Sequence, residues 1–295
     1  DDYIAAQSQD RNDPASLSNK FVYPIIRDHE GGLWIGTYYG GVNYVSPTIG
    51  QFRSLSLGKL TGSEDCTISC FCEDPDGTIW MGSDNGGLFS FNPANGTARK
   101  LDRFSQLNIH ALCRRGDDLW TGSYSSPTVR LNLSTGRTQL YEIQSVYSFF
   151  TDADGTLWAG TDDGIYRFDD GADAFVQERL TGDITISVAQ DRDGTLWFGT
   201  SSKGIMKRTA GGEWSSLSAD NSDLPSSEIN FLLPGRRGMM AGSRRGLVLF
   251  GEDGISSTLE DADVRFIAEG GSGVIISSQS GHRLPALDRK STRLN

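Results

Sequence analysis

A short segment recurs along this chain at nearly regular intervals. It reads DGTIWMGSDNGG at 76–87, DGTLWAGTDDG at 154–164 and DGTLWFGTSSKG at 193–204. The tryptophans of its W-x-G signature are 46, 40, 38 and 39 residues apart, at Trp34, Trp80, Trp120, Trp158 and Trp197. Two further copies have Met240 and Ile276 in the tryptophan position. A period of about 40 residues is typical of β-propeller blades rather than of helical repeats, so seven units are predicted.

Within each unit, apolar and polar residues alternate with the period of two that strands require. Residues 184–217 read ITISVAQ, TLWFGT, IMKRT and AGGEWSSL, with DRDG and SSKG as turn signals between them. Four short strands follow from this pattern. A four-stranded sheet that is apolar on both faces is stable only between neighbours. We therefore predict an all-β fold, a seven-bladed β-propeller of four-stranded antiparallel blades.

The recurring tryptophan has two interpretations. On the second strand of each blade, the indole would cover the adjoining blade, and the glycine of W-x-G would let the two backbones approach closely. The alternative is a sugar-binding box of tryptophans. Strand periodicity favours the first interpretation, because it sends these rings between the blades.

The two ends of the chain indicate how the ring closes. The seventh copy continues only through a third strand, HRLPALD at 282–288. Residues 3–7 are predicted to supply the missing outer strand of that last blade, which would remove the open sheet edges. One propeller domain is thus expected over 1–289. The tail 290–295, KSTRLN, fits no strand of the cycle, and we expect it to be frayed or foreign to the native sequence.

The charge balance excludes some classes of partner. Lys and Arg together number 27 against 38 Asp and Glu, which gives a net charge of −11. This charge opposes binding to nucleic acid or to an anionic membrane surface. No apolar run approaches the roughly 18 residues of a membrane helix. We expect neither nucleic acid nor membrane contact from this chain.

The four cysteines are Cys66, Cys70, Cys72 and Cys113. Cys72 and Cys113 share the repeat position held elsewhere by Ile26, Phe150 and Ala189, so buried free thiols are favoured over disulfides. Cys70 and Cys72 point the same way from one strand but sit roughly 6–7 Å apart, too far for a bond. No metal site or cofactor is expected.

The segments DPDG, DADG and DRDG each place two carboxylates at positions i and i+2. A calcium loop needs about twelve residues and a closing glutamate, and neither is present. Asx turns between the first and second strands are therefore predicted.

No nucleophile with its base is apparent, because neither G-x-S-x-G nor H-E-x-x-H occurs among these residues. The chain is expected not to be an enzyme. One catalytic alternative stays open, a seven-bladed lyase of the streptogramin lyase type. In that case the turn histidine His282 would be the candidate for the catalytic and metal-binding role.

The unit LSNKFVYPIIRDHEGGLWIGTYYGGVNY at 17–44 resembles the two-component regulator propeller repeat, and LWIGTYYGGVNYVSP at 33–47 is its most specific part. This family occurs in the periplasmic sensor region of hybrid two-component systems of Bacteroides-type bacteria. The resemblance implies a periplasmic sensing propeller of an inner-membrane-anchored protein, with any kinase activity outside this chain. It also implies an oligosaccharide ligand, or a neighbouring propeller or sandwich domain as partner, with a homodimer formed through the parent protein.

The turns between the second and third strands differ in chemistry from blade to blade while the strands around them do not. We predict that a ligand contacts this ring, at Tyr38, Tyr39, Asp84, Asn85, Tyr124, Asp162, Asp163, Lys203, Arg244 and Arg245. The tyrosines suit stacking on sugar rings, and the cations suit uronate or sulfate groups. Ordinary solvated turns are the alternative for each position. A purely structural interaction propeller is the alternative for the function.

Overall fold

The computed structural model describes residues 16–47, 52–62, 66–252, 254–259, 261–269 and 274–278. Six four-stranded antiparallel sheets follow one another along the chain, each with its strands in sequence order. In blades 1 to 3 the strands are β1 (Val22–Arg27), β2 (Leu33–Thr37), β3 (Gly41–Val45), β4 (Phe52–Leu55), β5 (Thr67–Glu73), β6 (Ile79–Asp84), β7 (Gly87–Asn92), β8 (Thr97–Leu101), β9 (Ile109–Arg115), β10 (Asp118–Ser123), β11 (Ser126–Asn132) and β12 (Thr138–Tyr141). In blades 4 to 6 they are β13 (Ser148–Thr151), β14 (Leu157–Gly160), β15 (Gly164–Asp169), β16 (Ala174–Leu180), β17 (Thr185–Gln190), β18 (Leu196–Thr200), β19 (Ile205–Arg208), β20 (Trp214–Leu217), β21 (Ile229–Gly235), β22 (Gly238–Ser243), β23 (Gly246–Gly251) and β24 (Gly254–Thr258).

A two-stranded sheet of β25 (Val264–Glu269) and β26 (Val274–Ser278) follows blade 6. A short helix α1 (Leu57–Thr61) links blade 1 to blade 2, and a 3₁₀ turn (Asp102–Phe104) links blade 2 to blade 3. No helix in the described ranges is long and apolar enough to cross a membrane.

The first strand of every sheet contacts the first strands of both neighbouring sheets. These contacts run from β1 through β5, β9, β13, β17, β21 and β25 and return to β1. The first strands therefore form a closed inner ring, and the fold is a β-propeller, as the repeat predicts.

Within the described ranges, the structure shows six four-stranded blades, not the predicted seven. The two-stranded sheet contacts both β21 and β1, and the Ser277 hydroxyl donates to the Val22 carbonyl at 3.4 Å. The prediction counted signature positions, and each of these marks a second strand rather than a complete sheet. The strands expected at 3–7 and 282–288, and the tail 290–295, lie outside the described residues.

The last repeat also differs from the predicted alignment by one position. Pairing of Ser278 with Val264 and of Ile275 with Ala268 places Ile275, not Ile276, in the tryptophan position. Ile275 packs against the blade 1 cluster of Leu17 and Ile25, whereas Ile276 packs on the blade 6 side. A shift of one residue in a strand exchanges its two faces, which explains the difference.

Each signature tryptophan lies in the seam between its own blade and the next. Trp34, Trp120 and Trp158 are 2%, 1% and 2% exposed, and Trp197 packs with Ile229 of blade 6. This confirms the packing interpretation. The signature glycine is needed because of the same seam: a Cβ on Gly160 would lie 2.5 Å from the Thr185 carbonyl oxygen of blade 5.

The paired acids form Asx turns, as predicted, and they have a second role. In blade 4, Asp152 Oδ1 accepts from the backbone N–H groups of Asp154 and Thr156, and its Oδ2 accepts from Trp158 Nε1 at 2.7 Å. The same aspartate–indole bond joins Asp28 to Trp34, Asp74 to Trp80 and Asp191 to Trp197.

All four cysteines are free, and Cys66 is buried. Cys72 and Cys113 pair with Trp80 and Trp120 across their sheets and pack in the apolar seams, as predicted. Burial raises the pKa of Cys72 to about 12 and also raises the pKa of Cys70 and of Cys113. These thiols are therefore protonated near neutral pH.

Candidate functional site

The predicted ligand-contacting residues lie on the turns between the second and third strands of blades 1 to 6. In blades 1, 3 and 6 the backbone of the turn is tied to the segment that enters the inner strand of the same blade. Tyr38 N–H donates to the Phe21 carbonyl at 3.0 Å, Tyr124 N–H to Asn108 at 3.1 Å, and Arg244 N–H to Glu228 at 3.1 Å. We call the surface formed by these turns and entry segments the turn face.

These turns fix the backbone conformation but leave the tyrosine side chains exposed. Tyr39 and Asn85 have positive φ angles of 50° and 62°, in the left-handed region that tight turns use. Tyr38, Tyr39 and Tyr124 remain 44%, 55% and 53% exposed. Large aromatic side chains at such exposure lie outside the core and are accessible to a ligand.

A β-bulge occurs at the start of most inner strands. In β9, for example, Ile109 pairs with Ser123 and Ala111 with Gly122, so His110 is the extra residue. The equivalent positions are held by Tyr23, Ser69, Ile186, Asn230 and Arg265, and Tyr147 precedes β13 at the same place. We call these seven residues the bulge ring.

The bulge ring is a structural feature that the sequence analysis missed. All of its members are half-buried. Bulges commonly redirect a side chain next to a functional site. The sequence does contain a sign of it. Three residues before the apolar repeat position of Ile26, Cys72 and Cys113, the residue type differs from repeat to repeat and ranges from tyrosine to arginine.

The bulge ring and the turn face meet in blades 1 to 4. The ring of Tyr23 stacks with that of Tyr38 at a centroid distance of 6.1 Å, and Tyr38 meets Tyr39 edge-on at 4.7 Å. Burial raises the pKa of Tyr23, and the nearby Tyr38 and Asp84 raise it further. The Tyr23 phenol is therefore neutral and able both to donate and to accept.

A second aromatic group surrounds His110. Its ring lies 6.2 Å from that of Tyr124 and 6.1 Å from that of Tyr147, and its Nε2 is 3.4 Å from Asp84 Oδ1. Burial raises the pKa of Tyr147, with further contributions from Tyr124 and Asp162. The structure thus brings together Asp84, Tyr124 and Asp162, which the sequence places in three different repeats.

The predicted cations are less available than expected. Lys203 Nζ donates to the Thr181 carbonyl at 2.9 Å, and Arg244 forms an ion pair with Glu228 at 3.0 Å. Arg245 is exposed, and its guanidinium has no partner among the described residues. Of these three cations, Lys203 and Arg244 are therefore engaged within the protein, and Arg245 is not.

The carboxylates of blades 4 and 5 serve the turns themselves. Asp163 accepts from the Thr161 hydroxyl at 2.7 Å, and Asp183 accepts from the N–H groups of Ser202 and Lys203 at 2.7 and 3.1 Å. These hydrogen bonds, together with the bond from the Ser201 hydroxyl, lower the pKa of Asp183 against the opposing effect of burial. Asp162 is exposed.

A family model described as "two component regulator propeller" matches residues 16–39, 62–85, 141–163 and 179–202. The chain carries two-component regulator propeller repeats. The matched segments cover the signature regions of blades 1, 2, 4 and 5. No curated protein matches the chain.

Solved structures of similar fold include the extracellular domain of BT4673 from B. thetaiotaomicron, which is named in one structure as a one component system and in another as a hybrid two component system. The first has a TM-score of 0.73 at 18% identity over 88% of this chain and 37% of that one. This chain thus spans less than two fifths of that domain. A catalytically inactive virginiamycin B lyase from Staphylococcus aureus, solved with quinupristin, has a TM-score of 0.72 at 14% identity, covering 88% of this chain and 92% of the lyase.

At these identities the structural likeness shows the fold alone. The match to the two-component regulator propeller repeat adds a likeness in sequence to this likeness in fold. His282, the residue on which the lyase alternative depends, lies outside the described residues. Within the described ranges, no group of three or more histidine, cysteine, aspartate or glutamate residues could hold a metal ion.

Proposed function

We propose that this chain is a ligand-sensing propeller of a hybrid two-component signalling system and that it has no catalytic step of its own. It would act in the periplasm, as part of a protein anchored in the inner membrane. Support comes from the repeats and from the likeness in fold to the extracellular domain of BT4673.

The proposed ligand is an oligosaccharide that docks on the turn face over blades 1 to 4. The observation that carries this proposal is the exposed aromatic surface of Tyr38, Tyr39 and Tyr124 beside half-buried Tyr23 and Tyr147. Sugar rings present C–H faces that stack on aromatic rings and hydroxyls that bond to polar neighbours. A rigid ring of sheets holds both kinds of group in place before the ligand arrives.

Isothermal titration calorimetry against a panel of glycan oligosaccharides tests this function. The double variant Tyr38→Ala, Tyr124→Ala is expected to weaken binding of the active oligosaccharide roughly tenfold or more, since each stacking contact contributes about 1 kcal/mol. The control is Leu140→Ala, which removes a 65% exposed side chain from outer strand β12. Undiminished affinity in the double variant would show that the ligand binds elsewhere.

A second function is favoured by a different surface. The outer strands of blades 3 and 4 expose Leu140, Val176 and Leu180 at 65%, 37% and 67%. An exposed apolar strip on neighbouring edge strands suits contact with a sister propeller, a sandwich domain or a second copy of the chain. Sedimentation of the wild type and of the Leu140→Ser, Leu180→Ser variant tests self-association, and strictly monomeric wild-type protein at high concentration would argue against it.

A further inference from the structure

Five tyrosine hydroxyls of the turn face and the bulge ring have no hydrogen-bond partner among the described residues. They belong to Tyr23 and Tyr147 of the bulge ring and to Tyr38, Tyr39 and Tyr124 of the turns. Tyr23 and Tyr147 are half-buried, so water reaches only part of each ring. A half-buried phenol without a protein partner is free to bond a ligand, as donor and as acceptor.

The carboxylates of the same surface are only partly satisfied. Arg265 donates to Asp263 at 2.7 Å, and Asp263 also accepts from Asn230 Nδ2 at 3.0 Å. His110 Nε2 lies 3.4 Å from Asp84 Oδ1, which is buried and has no hydrogen-bond partner among the described residues. An anionic ligand placed among these groups would be repelled by the Asp84 carboxylate and would have to compete with Asp263 for Arg265.

Two cations of the turn face have neither an ion-pair nor a hydrogen-bond partner for their charged groups among the described residues. Arg245 belongs to the turn of blade 6, whereas the aromatic groups occupy blades 1, 3 and 4, and Lys20, on the entry segment of blade 1, lies over the Phe21 ring with its Nζ 4.9 Å from the ring centroid. Asp162, on the turn of blade 4, adds an exposed carboxylate near Tyr147. Around His110, Tyr124 and Tyr147, the carboxylates of Asp84 and Asp162 therefore oppose a ligand carboxylate or sulfate.

We propose that the bulge ring recognises a neutral, hydroxyl-rich oligosaccharide, with the phenols of Tyr23 and Tyr147 bonding its hydroxyls. This inference rests on the proposed function and narrows its ligand class. It replaces the sequence-based expectation of uronate or sulfate recognition, because Lys203 and Arg244 are engaged by Thr181 and Glu228.

The test uses three matched pairs of β- or α-1,4-linked trisaccharides, each a neutral sugar and its uronate: galactotriose and trigalacturonate, mannotriose and trimannuronate, cellotriose and triglucuronate. Ligand-observed NMR and calorimetry give the affinity of each for the whole chain. In the pair that binds, the neutral member is expected to bind roughly tenfold tighter.

The variants Tyr23→Phe and Tyr147→Phe each remove one hydroxyl and keep the ring, and each is expected to weaken the neutral ligand about fivefold. The matched control is Tyr44→Phe. The Tyr44 ring packs on Trp34 at a centroid distance of 4.7 Å in the blade 1 seam, so this variant should bind the neutral ligand with unchanged affinity.

Equal or tighter binding of the uronate would overturn this inference and leave the proposed function standing. Full affinity in both phenylalanine variants would overturn it as well, even with a neutral preference. No binding by any of the six trisaccharides would instead contradict the proposed function, and the inference with it.

Discussion

Trp158 donates its indole N–H to Asp152, six residues earlier, at 2.7 Å. One carboxylate thereby fixes two structures at once, because its other oxygen accepts from the turn that separates β13 from β14. The indole lies in the seam with blade 5. The turn and the seam are therefore coupled in every blade that has this pair.

Asp152→Ala should destabilise the propeller by about 2–3 kcal/mol, because it leaves a buried indole donor and two turn N–H groups without their acceptor. Urea unfolding followed by tryptophan fluorescence measures the change. Asp154→Ala is the control, since its carboxylate is exposed and accepts no hydrogen bond among the described residues, and a change within about 0.5 kcal/mol is expected. Equal effects of the two substitutions would contradict the role given to Asp152.

Blade 3 departs from this pattern in an informative way. Arg114 stands where the other blades have the aspartate, and Trp120 Nε1 has no partner among the described residues. Arg114 instead donates to Asp74 of blade 2 at 3.0 Å, and the side chains of both are mostly buried. Blade 3 thus exchanges an indole hydrogen bond for an ion pair across the seam.

Arg114→Ala should cost about 3 kcal/mol in the free energy of unfolding, because it leaves the Asp74 carboxylate buried with only the Trp80 indole as side-chain donor. Arg137→Ala, at an exposed position of the same blade, should change stability by less than about 0.5 kcal/mol. A neutral Arg114→Ala variant would show that the ion pair does not hold blades 2 and 3 together.

His29 and Glu73 form a contact between blades 1 and 2 that depends on pH. His29 Nδ1 lies 2.5 Å from Glu73 Oε1, and this hydrogen bond raises the pKa of His29. A raised pKa means that the stabilisation is complete below the pKa of unfolded histidine and is lost as pH rises through the folded value. Proton NMR titration should show the raised pKa, and Glu73→Gln should return it toward the ordinary range. An unchanged His29 titration in that variant would refute the contact.

The cysteines should be unreactive in the folded protein. Burial holds the pKa of Cys72 at about 12, so its thiolate is scarce at pH 8. A thiol reagent such as Ellman's reagent should label none of the 4 cysteines before unfolding and all of them in denaturant. Rapid labelling of native protein would mean that the seams open locally.

The sequence was sufficient to predict the features that recur in every blade because each blade buries the same positions. Strand periodicity and the tryptophan spacing predicted the blades, the seams and the buried thiols, because each blade must cover both faces of its sheet. The number of complete blades was wrong, since a signature marks one strand and not four. The position of Ile275 was missed by one residue because a degenerate repeat carries no tryptophan to fix its register.

The site was less predictable for a physical reason. A bulge depends on the pairing of two strands, so the sequence of one strand alone does not show that His110 is the extra residue of a bulge. The ion pair of Arg244 with Glu228 joins two segments 16 residues apart. The hydrogen bond of Lys203 is made to a backbone carbonyl, which every residue carries. Charge in a sequence therefore identified candidate side chains without showing which of them are free.

Hydrogen–deuterium exchange of the whole chain, with and without the neutral trisaccharide that binds, locates the ligand on the molecule. We predict added protection in peptides that carry Tyr38, Asp84, His110, Tyr124 and Tyr147, on the turn face of blades 1 to 4. Protection confined to the opposite turns, which carry Asp28, Asp74 and Asp152, or to the outer strands β12 and β16, would contradict it.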